Sequence, residues 1–600
     1  MPERLKESSG ASRASFDSLT VAVLTSRFQG IVENMSSTML RTARSGVINT
    51  AHDFSCCILT AQHEHLAMAN SLPIHVMTGP DIMARYTFEM HPDRRRGDAY
   101  LHNSPYHGNS HAADHCILIP VMDDDGRHRF TVFTKAHQAD CGNALPTTYM
   151  AGARDVYEEG ALIFPAVKIQ SDYEFIQDIL RMCELRIRAP HQWRGDLLAL
   201  VGSARIGERL LLQLGAEIGW EALDEYTEQW FDYSEQAMIG AISALPRGES
   251  VVTTSHDPFP NVPDGVPITV KVSVNPDDAR IEVDLRDNLD CLPCGLNTTE
   301  STARNGALIG IFNSLDHVVP NNSGSFRRLT VHLRENCAVG IPRHPACCSV
   351  ATTALANRVG NAVQRALADF KDGVGMGEIG LIISPTMAVI SGADPRNEDQ
   401  PFVNQVFFGH PGGAGGHGFD GWLNIGDLGA GAMLLLDSVE VAEANYPVRV
   451  KERRIAKDSE GPGRDRGAPG TFVEFGPVDC TIDALYASDG SIFPARGARG
   501  GEPGLVATQF RREVSGELTS LPLFERITLE PGTTIVSRSC AGGGYGSPLE
   551  RDPERVKYDV LEDWISLERA RDVYGVVFDE QGGVDVAATE ALRANTVPAT

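Results

Sequence analysis

The feature that most limits how this 600-residue chain can fold is a pair of apolar runs separated by an acidic turn. Residues 116–121 and 130–135 are rich in β-forming side chains, and the turn at 123–126 reads Asp-Asp-Asp-Gly. This pattern predicts an antiparallel hairpin. Antiparallel pairing sets the beginning of the first strand beside the end of the second, so counting outward from the turn places Asp114 opposite about Ala136.

Potential metal ligands are concentrated at the open end of this predicted hairpin. His111 and Asp114 lie at the beginning of the first strand, and His137 and Asp140 lie at the end of the second. Two imidazoles with one or two carboxylates form a mixed nitrogen and oxygen set that suits Zn(II), Mn(II) or Fe(II). Asp53 directly precedes another apolar run and can complete a four-ligand shell. The spacing therefore indicates a divalent metal site suited to activating water or a carbonyl group.

The spacing leaves other assignments open. Aspartate, histidine and glycine are common in surface turns, where an aspartate at a strand end often only caps the turn. Three more histidines of the same region can replace any one ligand, and spacing cannot rank them: His102, His107 and His115. His75 lies on a neighbouring apolar stretch and can line the same pocket, whereas Cys141 is interpreted as a structural thiol.

Charge and composition restrict the partners of the chain. It carries 53 Lys and Arg against 79 Asp and Glu, a net charge of -26, so it repels phosphate backbones and anionic lipid. No run of about 18 apolar residues is present, and we expect neither nucleic-acid binding nor a membrane role. The polar N-terminus lacks the apolar stretch of a secretory signal, and twelve scattered cysteines are typical of reduced thiols. A cytoplasmic location is expected.

The chain is too long for one ordinary core, and its patterns divide into four predicted regions. They are an N-terminal helix plus β-rich metal-site region, a helical region, an α/β region, and a Gly-rich, β-rich region with a helical tail. Their boundaries are 1–172, 173–256, 257–408 and 409–600. The N-terminal helix spans 16–42, and the Pro-rich segment 257–264 marks the end of the helical region. The predicted fold class is α+β, mixed α and mainly antiparallel β rather than doubly wound.

The segment 409–431 is rich in glycine but is not typical of a nucleotide site. It lacks the G-K-[ST] ending of a phosphate loop, and no clean strand-to-helix context surrounds it. A backbone-tight loop that shapes a pocket or an interface fits better. The chain also has no G-x-S-x-G elbow, and its one C-x-x-C, at 291–294, lacks the second pair that a zinc ribbon needs.

Several strings of the chain resemble the hydantoinase B/oxoprolinase family. They follow one another in the order of the family from about residue 32 to 577, so the resemblance is specific at family level. The strings are Asp53-Phe-Ser-Cys, Leu72-Pro-Ile-His-Val, Gly97-Asp-Ala-Tyr-Leu-His-Asn-Ser-Pro-Tyr-His-Gly-Asn-Ser-His, Ala136-His-Gln-Ala-Asp-Cys-Gly, Tyr157-Glu-Glu-Gly, Arg188-Ala-Pro, Ser459-Glu-Gly-Pro-Gly-Arg-Asp-Arg-Gly and Gly542-Gly-Gly-Tyr-Gly-Ser-Pro.

The resemblance implies a hydantoinase B-like fold and a division of labour between subunits. The family includes subunits of ATP-dependent hydantoinases, oxoprolinases, lactam hydrolases and acetone or acetophenone carboxylases. A partner of the hydantoinase A type binds ATP with Mg and phosphorylates the substrate, while the B-type subunit holds the metal, so a hetero-oligomer is expected. By resemblance the metal ligands are Asp53, His111, Asp114 and His137. Ser104 stands where many relatives have aspartate, so the wall of the pocket differs.

Three functions follow from these observations. The first is a subunit of an ATP-dependent hydrolase that opens a hydantoin, oxoproline or lactam ring. There, Asp140 is a candidate to deprotonate the attacking water, and His75 and His115 are candidates to carry a proton or orient the substrate. The alternative is a subunit of a ketone carboxylase, which differs in requiring bicarbonate. The third is a non-catalytic scaffold for the ATP-binding partner, which predicts no bound metal.

Overall fold

The computed structural model describes residues 17–315, 319–431 and 434–595. Its strands form four sheets, and neighbouring strands of these ranges run antiparallel except for one parallel pair, Arg280–Asp284 with Leu329–His332. The prediction of a mixed, mainly antiparallel α+β fold is therefore confirmed. None of the helices in these ranges combines the length and apolar character needed to cross a bilayer.

A seven-stranded antiparallel sheet has the predicted hairpin at its centre. The hairpin strands Asp114–Met122 and His128–His137 extend slightly beyond the predicted runs. Phe54–Thr60 pairs with the second of them and is buried along its whole length, as a continuous apolar run requires. The other strands of this sheet are His65–Met68, Ala99–His102, Val167–Ser171 and Glu174–Phe175.

The long helix Ser18–Thr42 packs against helix Pro190–Ile218 and against the seven-stranded sheet. It begins after Asp17, whose side chain accepts the N–H of Thr20 at 2.7 Å and satisfies one of the free donors of the first turn. The helix was predicted from Phe16, which lies outside the described residues. Its buried face repeats at helical spacing and consists of Leu24, Phe28, Ile31, Val32, Met35 and Met39.

The region predicted to be helical contains three helices and then a strand. The helices are Gln177–Arg186, Pro190–Ile218 and Trp220–Ser243. The prediction extended this region to residue 256, but Gly248–His256 is a strand that pairs antiparallel with Val266–Asn275. The Pro-rich segment therefore joins two neighbouring strands of one sheet, which the two strands of the parallel pair complete.

Helix Leu355–Phe370 packs against that four-stranded sheet and against helix Glu300–Phe312. The sequence pattern predicts helices around 299–315 and 353–370, and both observed helices lie close to these positions. Gly310 allows their close approach, since a Cβ there would lie 2.7 Å from the carbonyl oxygen of Gly360. The buried side of Leu355–Phe370 is unusually polar and reaches the interior next to the site described below.

Two further antiparallel sheets and a helical tail form the C-terminal region. The first sheet contains Val389–Asp394, Gln400–Gln405, Ile482–Ala487 and Phe524–Leu529, and the second Val448–Ile455, Thr471–Pro477, Thr508–Arg512, Leu518–Ser520 and Thr534–Arg538. The sequence pattern places the helical tail near 561–570. The observed tail is longer, with helices Pro553–Leu561, Leu567–Asp572 and Val586–Asn595. Short helices elsewhere are Gly46–Asn49, Pro73–Val76, Pro80–Met90, Val156–Glu159, Ser323–Phe326 and Val439–Asn445.

Three Gly-rich segments of the C-terminal region lie against one another, namely 409–431, 461–470 and 542–546. The N–H of Gly461 donates to the carbonyl of Gly542, and the N–H of Gly542 donates to the carbonyl of Ala468, both at 3.0 Å. A Cβ at Gly542 would collide with the carbonyl oxygen of Gly413. Glycine is needed here because the backbones touch, and these N–H groups are engaged within the fold.

Candidate metal centre

Asp114 and His137 are register partners at the open end of the hairpin. Counting from the turn had placed Asp114 opposite Ala136, and the difference of one residue comes from a β-bulge near the turn. Asp53 lies on the other side of the second strand, where its carbonyl oxygen accepts the N–H of His137 at 3.1 Å. Residues from separate strand ends therefore meet at one edge of the sheet.

His111, Asp114 and His137 form a compact, buried group. Nε2 of His111 lies 3.0 Å from Oδ1 of Asp114, and Nδ1 of His137 lies 3.3 Å from the same oxygen. One possible ligand atom from each residue lies within 4.8 Å of the other two. A tetrahedral shell with bonds of about 2.0–2.1 Å places neighbouring ligand atoms roughly 3.3 Å apart, so these separations fit a divalent ion.

The short helix Pro73–Val76 adds His75 to this group. Nε2 of His75 lies 3.4 Å from Oδ1 of Asp53 and 3.4 Å from Oδ2 of Asp114. The position of the helix is fixed in turn by the N–H of Ile74, which donates to the carbonyl of Gly429 at 2.9 Å. The structure thus brings together most of the predicted site residues, namely Asp53, His75, His111, Asp114 and His137.

Hydrogen bonds outside the group determine which nitrogens its imidazoles present. Nδ1 of His111 lies 2.8 Å from the carbonyl oxygen of Ser349, which can only accept, so that nitrogen carries a proton. In the neutral ring Nε2 then directs a lone pair at the Asp114 carboxylate, an arrangement that needs a proton or a metal ion between the two. His137 is held from its far side as well, with Nε2 3.0 Å from the hydroxyl of Thr148.

A buried lysine supports the carboxylate of the group. Nζ of Lys135 donates to Oγ of Ser110 at 2.9 Å, and that hydroxyl donates to Oδ2 of Asp114. Lys135 is fully buried, so its charge acts in a region of weak screening. The chain of contacts holds Asp114 in place while Oδ1 faces the two imidazoles.

Burial and neighbouring charges shift the pKa values of the group in different directions. Burial favours a higher pKa for Asp114, but His111 and His75 outweigh it and hold that pKa well below its ordinary value. Burial raises the pKa of Asp53, and the charge of Asp114 adds to this effect. Burial lowers the pKa of His75 to about 3 and also lowers the pKa of His137. Burial favours a lower pKa for His111, but the charge of Asp114 and the hydrogen bonds to Asp114 and Ser349 outweigh it and raise that pKa. The ionised carboxylate of Asp114 and the lowered pKa values of His75 and His137 suit metal ligation, which requires deprotonated ligands.

Asp140 and His115 lie outside this group. The carboxylate of Asp140 accepts the backbone N–H of Arg188 at 2.6 Å. His115 follows Asp114 on the same strand, so its side chain projects from the opposite face of the sheet, where the indole N–H of Trp193 donates to it at 3.4 Å. Neither residue lines the cavity beside the group, and their expected roles in proton transfer stay predictions.

The alternative histidines are engaged elsewhere. His102 accepts the N–H of Ser104 at 3.1 Å, and His107 stacks on Tyr86 with ring centroids 4.0 Å apart. Within the part of the chain that the structure describes, His111, Asp114 and His137 form the one cluster with metal-ligand spacing. The C-x-x-C pair at 291–294 is not part of such a cluster.

A small cavity of about 20 Å³, roughly the space of one water molecule and lined by buried residues, borders the group. The ring of Tyr149 forms one side, with its centroid 6.0 Å from that of His111 and 5.4 Å from that of His137. The sequence did not single out the remaining lining residues, except those that neighbour His75. They are Leu72, Ile74, Thr352, Thr353, Ile382, Met387, Gln405, Phe407, Asp427, Ala430 and Leu434.

Asp427 is the ionisable residue of this lining that sequence reasoning missed. It belongs to the Gly-rich segment 409–431, which therefore shapes the pocket. Burial raises its pKa to about 7. The sequence held one usable signal, a carboxylate within a segment expected to line a pocket, but nothing local linked that carboxylate to the hairpin.

Comparison with known proteins shows which family this chain resembles. A family model described as Hydantoinase B/oxoprolinase matches residues 17–548. The beta subunit of the caprolactamase of Pseudomonas jessenii is 28% identical over 96% of this chain and 99% of its own length. The B subunit of a putative D-/L-hydantoinase of Pseudomonas sp. (strain NS671) is 28% identical over 96% of this chain and 98% of its own length.

Solved structures agree with the sequence match. The crystal structure of the ATP-dependent caprolactamase from Pseudomonas jessenii has a TM-score of 0.86 and 26% identity, covering 97% of this chain and 100% of that one. Nucleotide-free acetone carboxylase has a TM-score of 0.83 and 17% identity, covering 97% of this chain and 84% of that one, and is similar in fold. With the family model matching nearly the whole chain and the fold in agreement, the chain belongs to the hydantoinase B/oxoprolinase family.

Proposed function

We propose that this chain is the metal-carrying subunit of an ATP-dependent hydrolase that opens a cyclic amide, and that it acts with an ATP-binding subunit of the hydantoinase A type. The observation that carries the proposal is the buried group of His111, Asp114 and His137 beside a small cavity. The choice of a cyclic amide and of a partner is supported by the relatives named as subunits of a caprolactamase and of a hydantoinase.

The residues of the group fit a divalent metal ion. His111, Asp114 and His137 would hold it, and Asp53 would complete the shell, a nitrogen and oxygen set that suits zinc, manganese or iron. The need for a positive charge between the lone pair of His111 and the Asp114 carboxylate supports this assignment. When bound, such an ion acts as a Lewis acid that polarises a carbonyl or phosphoryl oxygen.

The protein itself orients the site and excludes water from it. Ser110 and Lys135 hold Asp114, and Thr148 holds His137, so the polar face of the cavity is set before a substrate arrives. Apolar side chains form much of the remaining lining and suit the methylene groups of a ring. Because the cavity has a volume of only about 20 Å³, a cyclic substrate fits only if part of this lining moves.

We assign ATP binding to the partner because the backbone N–H groups of the Gly-rich segments of this chain already form hydrogen bonds within the fold. Backbone N–H groups in 409–431, 461–470 and 542–546 donate to carbonyl oxygens of neighbouring segments. A phosphate loop needs such groups free and directed at its ligand. The substrate oxygen would therefore be phosphorylated on the partner, and ring opening would take place in this chain.

The test is metal content and turnover of the chain purified together with its hydantoinase A-type partner. We expect near-stoichiometric zinc, manganese or iron by elemental analysis, and ATP-dependent opening of caprolactam or hydantoin without bicarbonate. His111→Ala and Asp114→Ala should lose both metal and turnover. His332→Ala is the matched control, because it removes a half-buried imidazole that pairs with Glu282 away from the site.

Two results would overturn the proposal in different ways. If the wild type holds no metal and takes none up, the chain acts as a scaffold for its partner. If turnover requires bicarbonate and a ketone, the chain serves a carboxylase, the activity of the acetone carboxylase that shares its fold.

A further inference from the structure

Asp427 is a buried carboxyl group that is not one of the proposed metal ligands. Its side chain is 4% exposed and lines the same cavity as Asp53, His75, His111 and His137. It is not a member of the ligand group, and no lysine, arginine or histidine of the described residues forms an ion pair with it. A carboxyl group buried without a counter-charge is costly for the fold, which points to a role in the reaction.

The carboxyl group is held firmly by hydrogen bonds. The N–H of Gly429 donates to Oδ1 at 2.9 Å, and the side chain of Asn357 and the N–H of Ala430 also bond to the carboxyl group. Asn357 additionally accepts the N–H of Gly429 at 3.0 Å through its own Oδ1. The loop is tied to the metal side of the cavity by Ile74, whose N–H donates to the carbonyl of Gly429 at 2.9 Å. Asp427 is therefore preorganised relative to the metal group.

We propose that Asp427 is the general base of ring opening, an inference that rests on the proposed function. Its carboxylate takes one proton from the attacking water as the water oxygen bonds to the ring carbon, whose oxygen the partner has phosphorylated and whose double bond to nitrogen becomes a single bond. That proton and the proton left on the new hydroxyl both pass to the ring nitrogen as the carbon–nitrogen bond breaks, which leaves an amine and an acyl phosphate and regenerates the carboxylate. A second water, deprotonated by the same carboxylate, then bonds to the acyl carbon as the bond from that carbon to the phosphate oxygen breaks, and its proton passes to the departing phosphate.

The other acidic and basic groups of the region are less suited to this role. Asp53 and Asp114 face the metal group, and Asp140 is turned towards Arg188. His115 lies on the opposite face of the sheet. Asp427 is left with a position in the cavity, and a pKa near 7 allows a carboxyl group both to accept and to return a proton at neutral pH.

The test compares variants of Asp427 with a matched change at Asp437. Asp437 is a buried aspartate of the same region that accepts the N–H of Phe407 at 2.8 Å and does not line the cavity. Asp427→Asn keeps the shape and the acceptor for Gly429 but cannot take a proton. We expect turnover to fall about 10²–10⁴-fold with metal content unchanged, whereas Asp437→Asn stays within about threefold of wild type.

A second variant distinguishes proton transfer from a structural role. Asp427→Ala leaves room for a small carboxylate, so added formate should raise its turnover at least about tenfold and should not raise that of Asp427→Asn. Metal content and thermal unfolding, measured on each complex with its partner, check that the variants are intact. A merely structural role would not respond to formate.

The outcomes separate this inference from the proposed function. If the wild-type complex is active but Asp427→Asn keeps more than a tenth of its turnover, Asp427 is not the base and the proposed function stands. Loss of metal in Asp427→Asn also overturns the inference, because the residue then belongs to the metal site. If the wild-type complex opens no cyclic amide, the proposed function fails and the inference falls with it.

Discussion

Thr148 holds His137 from the side that faces away from Asp114, with its hydroxyl 3.0 Å from Nε2 of the imidazole. The other nitrogen, Nδ1, is left 3.3 Å from the Asp114 carboxylate. His111 is arranged in the same way, with a carbonyl oxygen on one nitrogen and Asp114 on the other. Each imidazole therefore has one nitrogen held by the protein and one available to an ion, the pattern that outer partners impose on metal ligands.

Thr148→Val should weaken metal binding without unfolding the protein. The valine keeps the shape of the threonine but leaves Nε2 of His137 without its partner, so we expect the metal affinity to fall about 10–100-fold. Competition with a chromogenic chelator measures this. Thr134→Val is the control, since it removes another buried hydroxyl, which donates to the carbonyl of Leu200 at 3.2 Å. Equal affinity in the two variants would contradict the assigned role of Thr148.

Asp437 should make the protein less stable as the pH rises from about 4 to about 6. Burial raises its folded-state pKa from 3.8 to about 6, so in this window the folded state binds more protons than the unfolded state. By linkage, stability is full below the unfolded pKa and is lost as the pH passes the folded one, by roughly 3 kcal/mol at most. The side chain introduced in Asp437→Asn cannot ionise, so this variant does not lose that stability as the pH rises.

The measurement is the difference in melting temperature between Asp437→Asn and wild type across that pH range. We expect the melting temperature of the variant to rise relative to that of wild type between about pH 4 and pH 6. Above pH 6 the difference should stay constant. Taking the difference cancels the titration of the metal ligands, which is common to both proteins. A difference independent of pH would show that folding does not raise the pKa of Asp437.

The hairpin and the residues that meet at its open end were predictable because the information is local. Turn residues and flanking apolar runs define the pairing, and pairing defines which residues meet at the open end. The bulge near the turn was not predictable, since nothing in the run marks an extra residue there, and it moved the partner of Asp114 from Ala136 to His137. The residues of the candidate metal group were brought together by an estimate that was one residue out of register.

The residues placed differently from expectation depend on contacts between distant parts of the chain. Asp140 was grouped with His137 because the two are close in sequence, but its carboxylate accepts the backbone N–H of Arg188 instead. Asp427 reaches the cavity because Asn357 and Ile74 fix its loop, and both belong to other regions. Such packing between regions leaves no periodicity or spacing that a single sequence displays.

Gly542→Ala should destabilise the C-terminal region. A methyl group there would overlap the carbonyl of Gly413, so the Gly-rich segments must separate, at a cost of about 1–3 kcal/mol or more. Gly240→Ala is the matched control, because Gly240 lies in helix Trp220–Ser243 with open space around the added methyl group. We expect its melting temperature to be unchanged or slightly higher, since alanine favours a helix by about 1 kcal/mol. Equal melting temperatures in the two variants would contradict the packing described for Gly542.

If the proposed function holds, the charge of a substrate should affect its kcat/KM more than the identity of its ring does. The lining residues in the described ranges include the carboxylates Asp53 and Asp427 and no lysine or arginine. A bound divalent ion is already balanced by Asp53 and Asp114, so a carboxylate on the substrate would be buried without a counter-charge, at a cost of several kcal/mol. Uncharged lactams and hydantoins should therefore be preferred to 5-oxoproline.

The cleanest comparison is 5-oxoproline against its primary amide, which has the same ring and nearly the same size but no charge. We expect kcat/KM for the amide to exceed that for the acid at least about 100-fold, because burying an unpaired charge costs more than the 2.7 kcal/mol or so that this ratio represents. The assay is ATP-dependent ring opening by the complete complex. Equal rates would mean that a cation enters the cavity when the substrate binds, and since this chain offers none in the lining, that cation would have to come from the partner or from a rearranged loop.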